Sequence, residues 1–291
     1  MNVKRILIPS ELDELSAKVT DFAVELAEQL NVSEIVLLNV IIPAHIQAFS
    51  TSGEDFAADS DMAIRFNEVL KEKHQKLAKV EAEKFTTDKV KIKPIARFMD
   101  SKTDLNKYME EYRADLIVCG SRNKQDFLNL LFGPDTGKML RKVDYPMIIL
   151  KDGADAGEIQ NILAAIDINE EGQNGLREIA GLAKALNANI QLLHVFSGDT
   201  DSSDQAIMKL RDLAVKNKFS NYDINLVNDD SLEDGIHHFV RLHKTDMIAV
   251  SSQGKGKIHR LIFGSNNKGT ISSTEDIIKE TEKPVFVSKI C

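Results

Sequence analysis

Two loops carry residue types at spacings that chemistry can use. In SSQGKGKIHRLIFGSNNKG (251–269), Gly254 and Gly264 follow an apolar run ending at Val250. Glycine has no Cβ, so its backbone N–H can approach a phosphate closely or adopt positive φ. Ser265 adds a hydroxyl donor, and a helix starting after it would favour anionic groups. Lys255, Lys257, His259, Arg260 and Lys268 make a local cationic cluster that suits a polyanion. Asp167 ends a separate apolar run, NILAAID, and can accept hydrogen bonds from a ligand's hydroxyl or amino groups. The other loop, GSRNKQDFLNLLFGPDTGKML (120–140), is a weaker version. Pro134 follows Gly133 there and offers neither N–H nor hydroxyl. Asn123 tolerates left-handed backbone, yet its side chain fills space a phosphate would need. Glycines after a strand also serve as plain turn residues, which is the competing reading of both loops.

Other reactive residue types do not assemble into a recognisable site. His237, His238 and His243 share one helical pattern but lack the i, i+4 spacing of a two-histidine metal face. They are expected to face solvent or a helix end. His194, in LLHVF, reads as a satisfied histidine at a strand terminus, with ligand contact as the alternative. Ser10 and Ser251 have no paired His and Asp, so no hydrolase triad is supported. Gly-x-Gly at 254–256 is too short for a dinucleotide fingerprint, and no G-x-x-x-x-G-K-[ST] is present. Cys119 sits in the apolar run DLIVCG and reads as a reduced core thiol; with Cys291 it makes no disulfide framework or C-x-x-C site.

The elements that would position these loops occur twice. RILI (5–8), ending at Glu11, matches NILAAID (161–167). Amphipathic patterns follow, through Val19, Phe22, Ala23, Leu26 and Ala27, and through Leu176, Ile179, Ala180, Leu182 and Ala183. EIVLLNVI (34–41) matches NIQLLHVF (189–196); VKIKPIARF (90–98) matches YDINLVN (222–228). Helices over 104–114 and 232–243 then lead to DLIVCGS (115–121) and DMIAVSS (246–252). After a glycine-containing loop and another helix, each copy closes on a proline-led strand, YPMIIL (145–150) or KPVFVSKI (283–290). Each half reads β-α-β-α-β-α-β-α-β, which demands a parallel sheet covered on both faces and joined by right-handed crossovers. KDGADAGE (151–158) is the linker, so the expected domains are 1–153 and 154–291. The first copy is about 25 residues longer after its second strand. The excess reads as a polar loop at 43–61, by default disordered or a simple lid with a partner-binding loop as the sharper alternative, and then a long helix over 62–85. The second copy carries about seven extra residues within SNNKGTIS, between Ser265 and its closing helix.

Composition bounds the function. The chain has 291 residues, 37 Lys plus Arg and 45 Asp plus Glu, for a formal charge of -8. That acidic balance argues against nucleic acid as the partner. No apolar run approaches the roughly 20 residues that cross a bilayer, and MNVKRILIPSE contains no signal-peptide h-region. A cytoplasmic protein without membrane attachment is expected.

The tandem α/β pattern and the two loops resemble the universal stress protein (UspA) family, once per half. Its nucleotide-binding members carry Gly-x2-Gly-x9-Gly-Ser/Thr after the fourth strand and an Asp after the first. The second half matches as Ser251-x2-Gly254-x9-Gly264-Ser265, with Asp167 in the acidic position. The first matches as Gly120-x2-Asn123-x9-Gly133-Pro134, with Glu11 in that position. The resemblance places the adenine edge against the backbone of Val195, or of Val40 in the first half. It implies two tandem doubly wound, five-stranded, Rossmann-like domains of the adenine nucleotide alpha-hydrolase-like type, packed as an internal pseudo-dimer through their closing strands. It also implies a non-catalytic stress-response protein that binds ATP or AMP, with or without magnesium, in its second half. The first half reads as a degenerate site. The alternative is a nucleotide-free interaction module with an unknown protein partner; an enzyme acting on a nucleotide or flavin ranks last. A homodimer of whole chains stays open.

Overall fold

The computed structural model describes residues 1–41, 58–98, 105–121, 143–151, 153–154, 157–166, 168, 174–197, 203–250 and 283–288. Its first half runs β1 (Arg5–Ser10), α1 (Glu14–Leu30), β2 (Glu34–Ile41), α2 (Ala58–Phe85), β3 (Lys91–Phe98), α3 (Leu105–Tyr112), β4 (Leu116–Ser121) and β5 (Met147–Lys151). The second runs β6 (Asn161–Ala165), α4 (Asn174–Leu186), β7 (Asn189–Phe196), α5 (Ser203–Asn217), β8 (Tyr222–Asn228), α6 (Leu232–Leu242), β9 (Met247–Val250) and β10 (Val285–Val287). The long helix starts at Ala58 rather than at residue 62, so it absorbs the end of the expected 43–61 loop. Residues 43–57, and the helices expected before β5 and β10, lie outside the described residues.

All ten strands form one sheet in the order β3-β2-β1-β4-β5-β10-β9-β6-β7-β8. Every pairing is parallel except the central one, where β5 and β10 run antiparallel with Ile148 opposite Phe286. The inner strands are apolar along their length, as a sheet covered on both faces requires. On one face α1, α2, α4 and α5 place Phe22, Leu26, Ala82, Ile179, Leu182, Leu210 and Ala214 in a cluster with Ile6, Ile148 and Phe286. On the other, Tyr108 and Met109 of α3 and Ile236 and Phe239 of α6 pack with Leu7, Ile117 and Val285. Both cores run through the centre, so the two halves form the internal pseudo-dimer that the family resemblance implies.

Repeated polar devices fix the strand ends. Asp115, just before β4, accepts from the backbone N–H of Lys4 at 2.8 Å and of Arg5 at 3.1 Å. Asp246, just before β9, does the same for Gln160 at 3.0 Å and Asn161 at 2.8 Å. Helices α1 and α4 both end on an asparagine with positive φ, Asn31 at 57° and Asn187 at 54°. The outer edge of β3 is covered by a side chain. Gln75 of α2 donates to the Pro94 carbonyl at 3.0 Å and accepts from Ala96 N–H at 2.9 Å. Pro94 can sit in β3 because an edge strand spares its missing N–H.

Candidate functional site

Strand order reverses between β1 and β4, and again between β6 and β9. In open α/β sheets, the carboxyl ends of the strands at such a reversal form the ligand crevice. Asp167 and Ser251 each follow a strand of the second reversal in sequence, and Glu11 follows β1 of the first. Asp167, Ser251, Gly254, Gly264, Ser265, Asn123 and Gly133 lie outside the described residues, as do Pro134 and the basic residues of the second loop. Val195, Glu11, Val40 and Gly120 are described, together with the strand ends that flank Asp167 and Ser251.

Val195 is placed by strand alternation. Asn189 N–H donates to Gln160 on the β6 side, whereas Ile190 N–H donates to Asn221 on the β8 side. Every second residue repeats the direction, so the Val195 N–H and C=O turn toward β6. The β6–β7 pairing ends at Ala165 opposite Leu193, with one further bond from Ile166 N–H to Leu193 O. Val195 therefore presents backbone donor and acceptor beyond the last paired residue of β6. Val40 is turned the same way toward β1, past the Ser10–Asn39 pair. The Val195 side chain is held from the opposite face by α6. A Cβ on Gly235 would lie 2.6 Å from Val195 Cγ1 and 2.7 Å from Cγ2, so only glycine lets the helix come this close.

Between these strands sits a polar clamp that occurs in both halves. His194 is 8% exposed, and its Nδ1–H donates to the Ile166 carbonyl at 3.0 Å, one residue before Asp167. The carbonyl can only accept, which fixes the proton on Nδ1. Asn39, at the matching place in β2, donates through Nδ2 to the Ser10 carbonyl at 2.8 Å, one residue before Glu11. The first-half clamp is extended by α2, whose His74 Nδ1 lies 2.7 Å from Asn39 Oδ1. His194 is thus the satisfied strand-terminus histidine that its position suggests. Aligning LLNV with LLHV would have pointed to Asn39; nothing local in the sequence marks His74 or Gly235.

The turn after β1, where the first half carries Glu11, is tied by its own side chains. Ser10 Oγ accepts from Leu12 N–H, Ser16 Oγ accepts from Glu11 N–H, and Asp13 Oδ1 caps α1 by accepting from Ser16 N–H, all within 3.0 Å. Leu12 takes positive φ at 61° to make the turn. Gly120 serves helix packing: a Cβ there would lie 2.8 Å from Leu15 Cγ and 3.0 Å from Val19 Cγ2. Its missing side chain is thus taken up by α1. Other candidates are accounted for locally. His238 Nδ1 lies 2.6 Å from Asp229 Oδ2, and His243 stacks on Phe239 with ring centroids 4.0 Å apart. Burial pushes the Cys119 thiol up to about 12, so it stays protonated and inert at neutral pH.

The universal stress protein family model matches residues 2–151, the half whose loop departs further from the nucleotide pattern. Universal stress protein G of Shigella flexneri is 30% identical over 149 residues, which is 51% of this chain and 99% of that protein. Likeness of fold extends over both halves. A universal stress protein from Archaeoglobus fulgidus DSM 4304 is 22% identical with a TM-score of 0.60, covering 98% of this chain and 96% of that one. The cytoplasmic domain of a prokaryotic cation chloride cotransporter has the same arrangement at 12% identity and a TM-score of 0.53, covering 98% and 95%. With its first half matched in sequence and its doubled fold matched from end to end, the chain belongs to the universal stress protein family.

Proposed function

We propose that the second half binds an adenine nucleotide, ATP or AMP, with or without magnesium. Asp167 and the Val195 backbone hold the nucleoside, while Ser251, Gly254, Gly264 and Ser265 hold phosphates. The observation that carries this reading is the end of β7: Val195 turns its N–H and C=O past the end of β6, beside the strand that leads into Asp167. An amide donor and acceptor in that position match the hydrogen-bonding edge of a purine. The first half, its turn closed by Ser10, Ser16 and Asp13, acts as scaffold. The protein then works as a non-catalytic stress-response regulator of the cytoplasm, divided at residues 153 and 154. No described helix is long and apolar enough to cross a membrane.

The test is to denature the purified protein and identify released small molecules, then to titrate the emptied protein with Mg-ATP by calorimetry. Stoichiometric nucleotide, lost in Asp167→Ala and Gly254→Val, supports the site. No release and no heat at millimolar ATP overturns it. A second reading, a nucleotide-free interaction module, is favoured by the apolar side chains that α2 exposes: Ile64, Phe66, Val69, Leu77 and Val80.

A further inference from the structure

Helix α2 carries two apolar faces. Ala78 and Ala82 are buried toward the sheet, whereas Phe66 is 49%, Val69 65%, Leu77 47% and Val80 64% exposed. At 100° per residue these four, with Lys73 between them, fall in an arc of about 80° along roughly 21 Å of helix. Their order 66, 69, 73, 77, 80 is the same read from either end, with Lys73 at its centre. A stripe with that symmetry meets itself in register when a second helix lies antiparallel to it. Phe66 then faces Val80 of the second copy, and Val69 faces Leu77.

The charges beside the stripe have the matching antisymmetry. Arg65, Glu72, Lys76 and Glu83 line one flank, in the sign order plus, minus, plus, minus. Antiparallel pairing brings that flank against its own copy, Arg65 against Glu83 and Glu72 against Lys76, each twice by symmetry. All four are exposed, and Arg65, Glu72 and Lys76 hold no ion pair among the described residues. Glu83 lies 3.7 Å from Lys79, an exposed pair one turn apart that yields readily to a better partner. We propose that α2 is a homodimerisation surface on which two chains pair antiparallel through Phe66, Val69, Leu77 and Val80. This stands whether or not the second half binds nucleotide. One helix pair is a small interface, in the transient class below about 1,200 Å². Lys73 meets its own copy on the two-fold axis and keeps the association weak, because two ammonium groups repel there.

The test is sedimentation velocity of the full chain over a concentration series at low salt, with far-UV circular dichroism to confirm each variant's fold. Wild type is expected to shift from monomer to dimer with rising concentration. Val69→Asp with Leu77→Asp should abolish the shift, and Glu72→Lys should raise Kd about tenfold. Adding Lys76→Glu to Glu72→Lys should restore the wild-type Kd. Lys73→Leu should lower Kd at least about fivefold by removing the central repulsion. A chain monomeric up to about 1 mM, or a dimer indifferent to Val69→Asp with Leu77→Asp, overturns the proposal. So does a stripe that binds anionic vesicles while the chain stays monomeric, which would assign the face to a lipid surface.

Discussion

A buried side chain that holds a neighbouring carbonyl can be replaced only by one that holds it equally well. His194 and Asn39 do the same task at equivalent points, so each is a natural test of the other. His194→Ala would strip the Ile166 carbonyl of that bond and cost about 1–3 kcal/mol. His194→Asn should recover much of it, measured by urea denaturation. The aspartates before β4 and β9 also act on strand starts. Asp246→Ala removes the acceptor of two backbone N–H groups and should cost about 1–2 kcal/mol. Both aspartates are visible as a repeated letter before an apolar run, yet their partners lie far upstream and are set only by strand order. Glu25 shows the reverse effect: partial burial, then Asp21 and Glu28, raise its carboxyl pKa. A carboxyl raised in the folded state favours the protonated form, so its penalty is full above the folded pKa and fades as pH falls toward the unfolded value. Glu25→Gln should therefore raise stability slightly at pH 7 and leave it unchanged in acid, as urea denaturation at the two pH values would read.

Helices and strands meet here at distances that particular glycines set. Gly235→Ala improves helix propensity by about 1 kcal/mol, yet places a methyl 2.6 Å from Val195 Cγ1. The clash should win, with a net loss of about 1–3 kcal/mol by thermal denaturation, and Val195→Ala should relieve it. Because Val195 also stands at the proposed adenine edge, Gly235→Ala should weaken ATP binding more than its stability loss alone explains. Apolar periodicity located the α1 and α4 faces well, since Phe22, Leu26, Ile179 and Leu182 do face the core. It was less informative for α2, where two apolar faces overlap in one sequence and only burial separates Ala78 from Val80. The closing strands are shorter than the runs that announced them, β10 spanning Val285–Val287 alone, because pairing rather than hydrophobicity ends a strand. The role of Gly120 was hidden for a related reason: a glycine beside a presumed ligand and one beside a helix look alike until the helix is placed.

Across the whole molecule, one apolar cluster spans both halves and Phe286 lies fully buried at the seam. Heating should therefore give one cooperative transition in calorimetry, and Phe286→Ala should cost about 3–5 kcal/mol and separate it into two. The doubled architecture was legible because two copies of one pattern reinforce each other, Glu34–Ile41 against Asn189–Phe196 above all. The chemistry of the crevices was less so, because it depends on loops whose meaning changes with a single side chain. The antiparallel join of β5 to β10 also sets a direction for the molecule. Each half is a block of parallel strands, and the join points the blocks oppositely, so the two crevices open at opposite poles. No one small molecule can bridge them, and a partner seated at one pole leaves the other uncovered. After a duplication, such a layout lets one pole change its loop while the other keeps its task, a division of labour that a shared cleft would forbid.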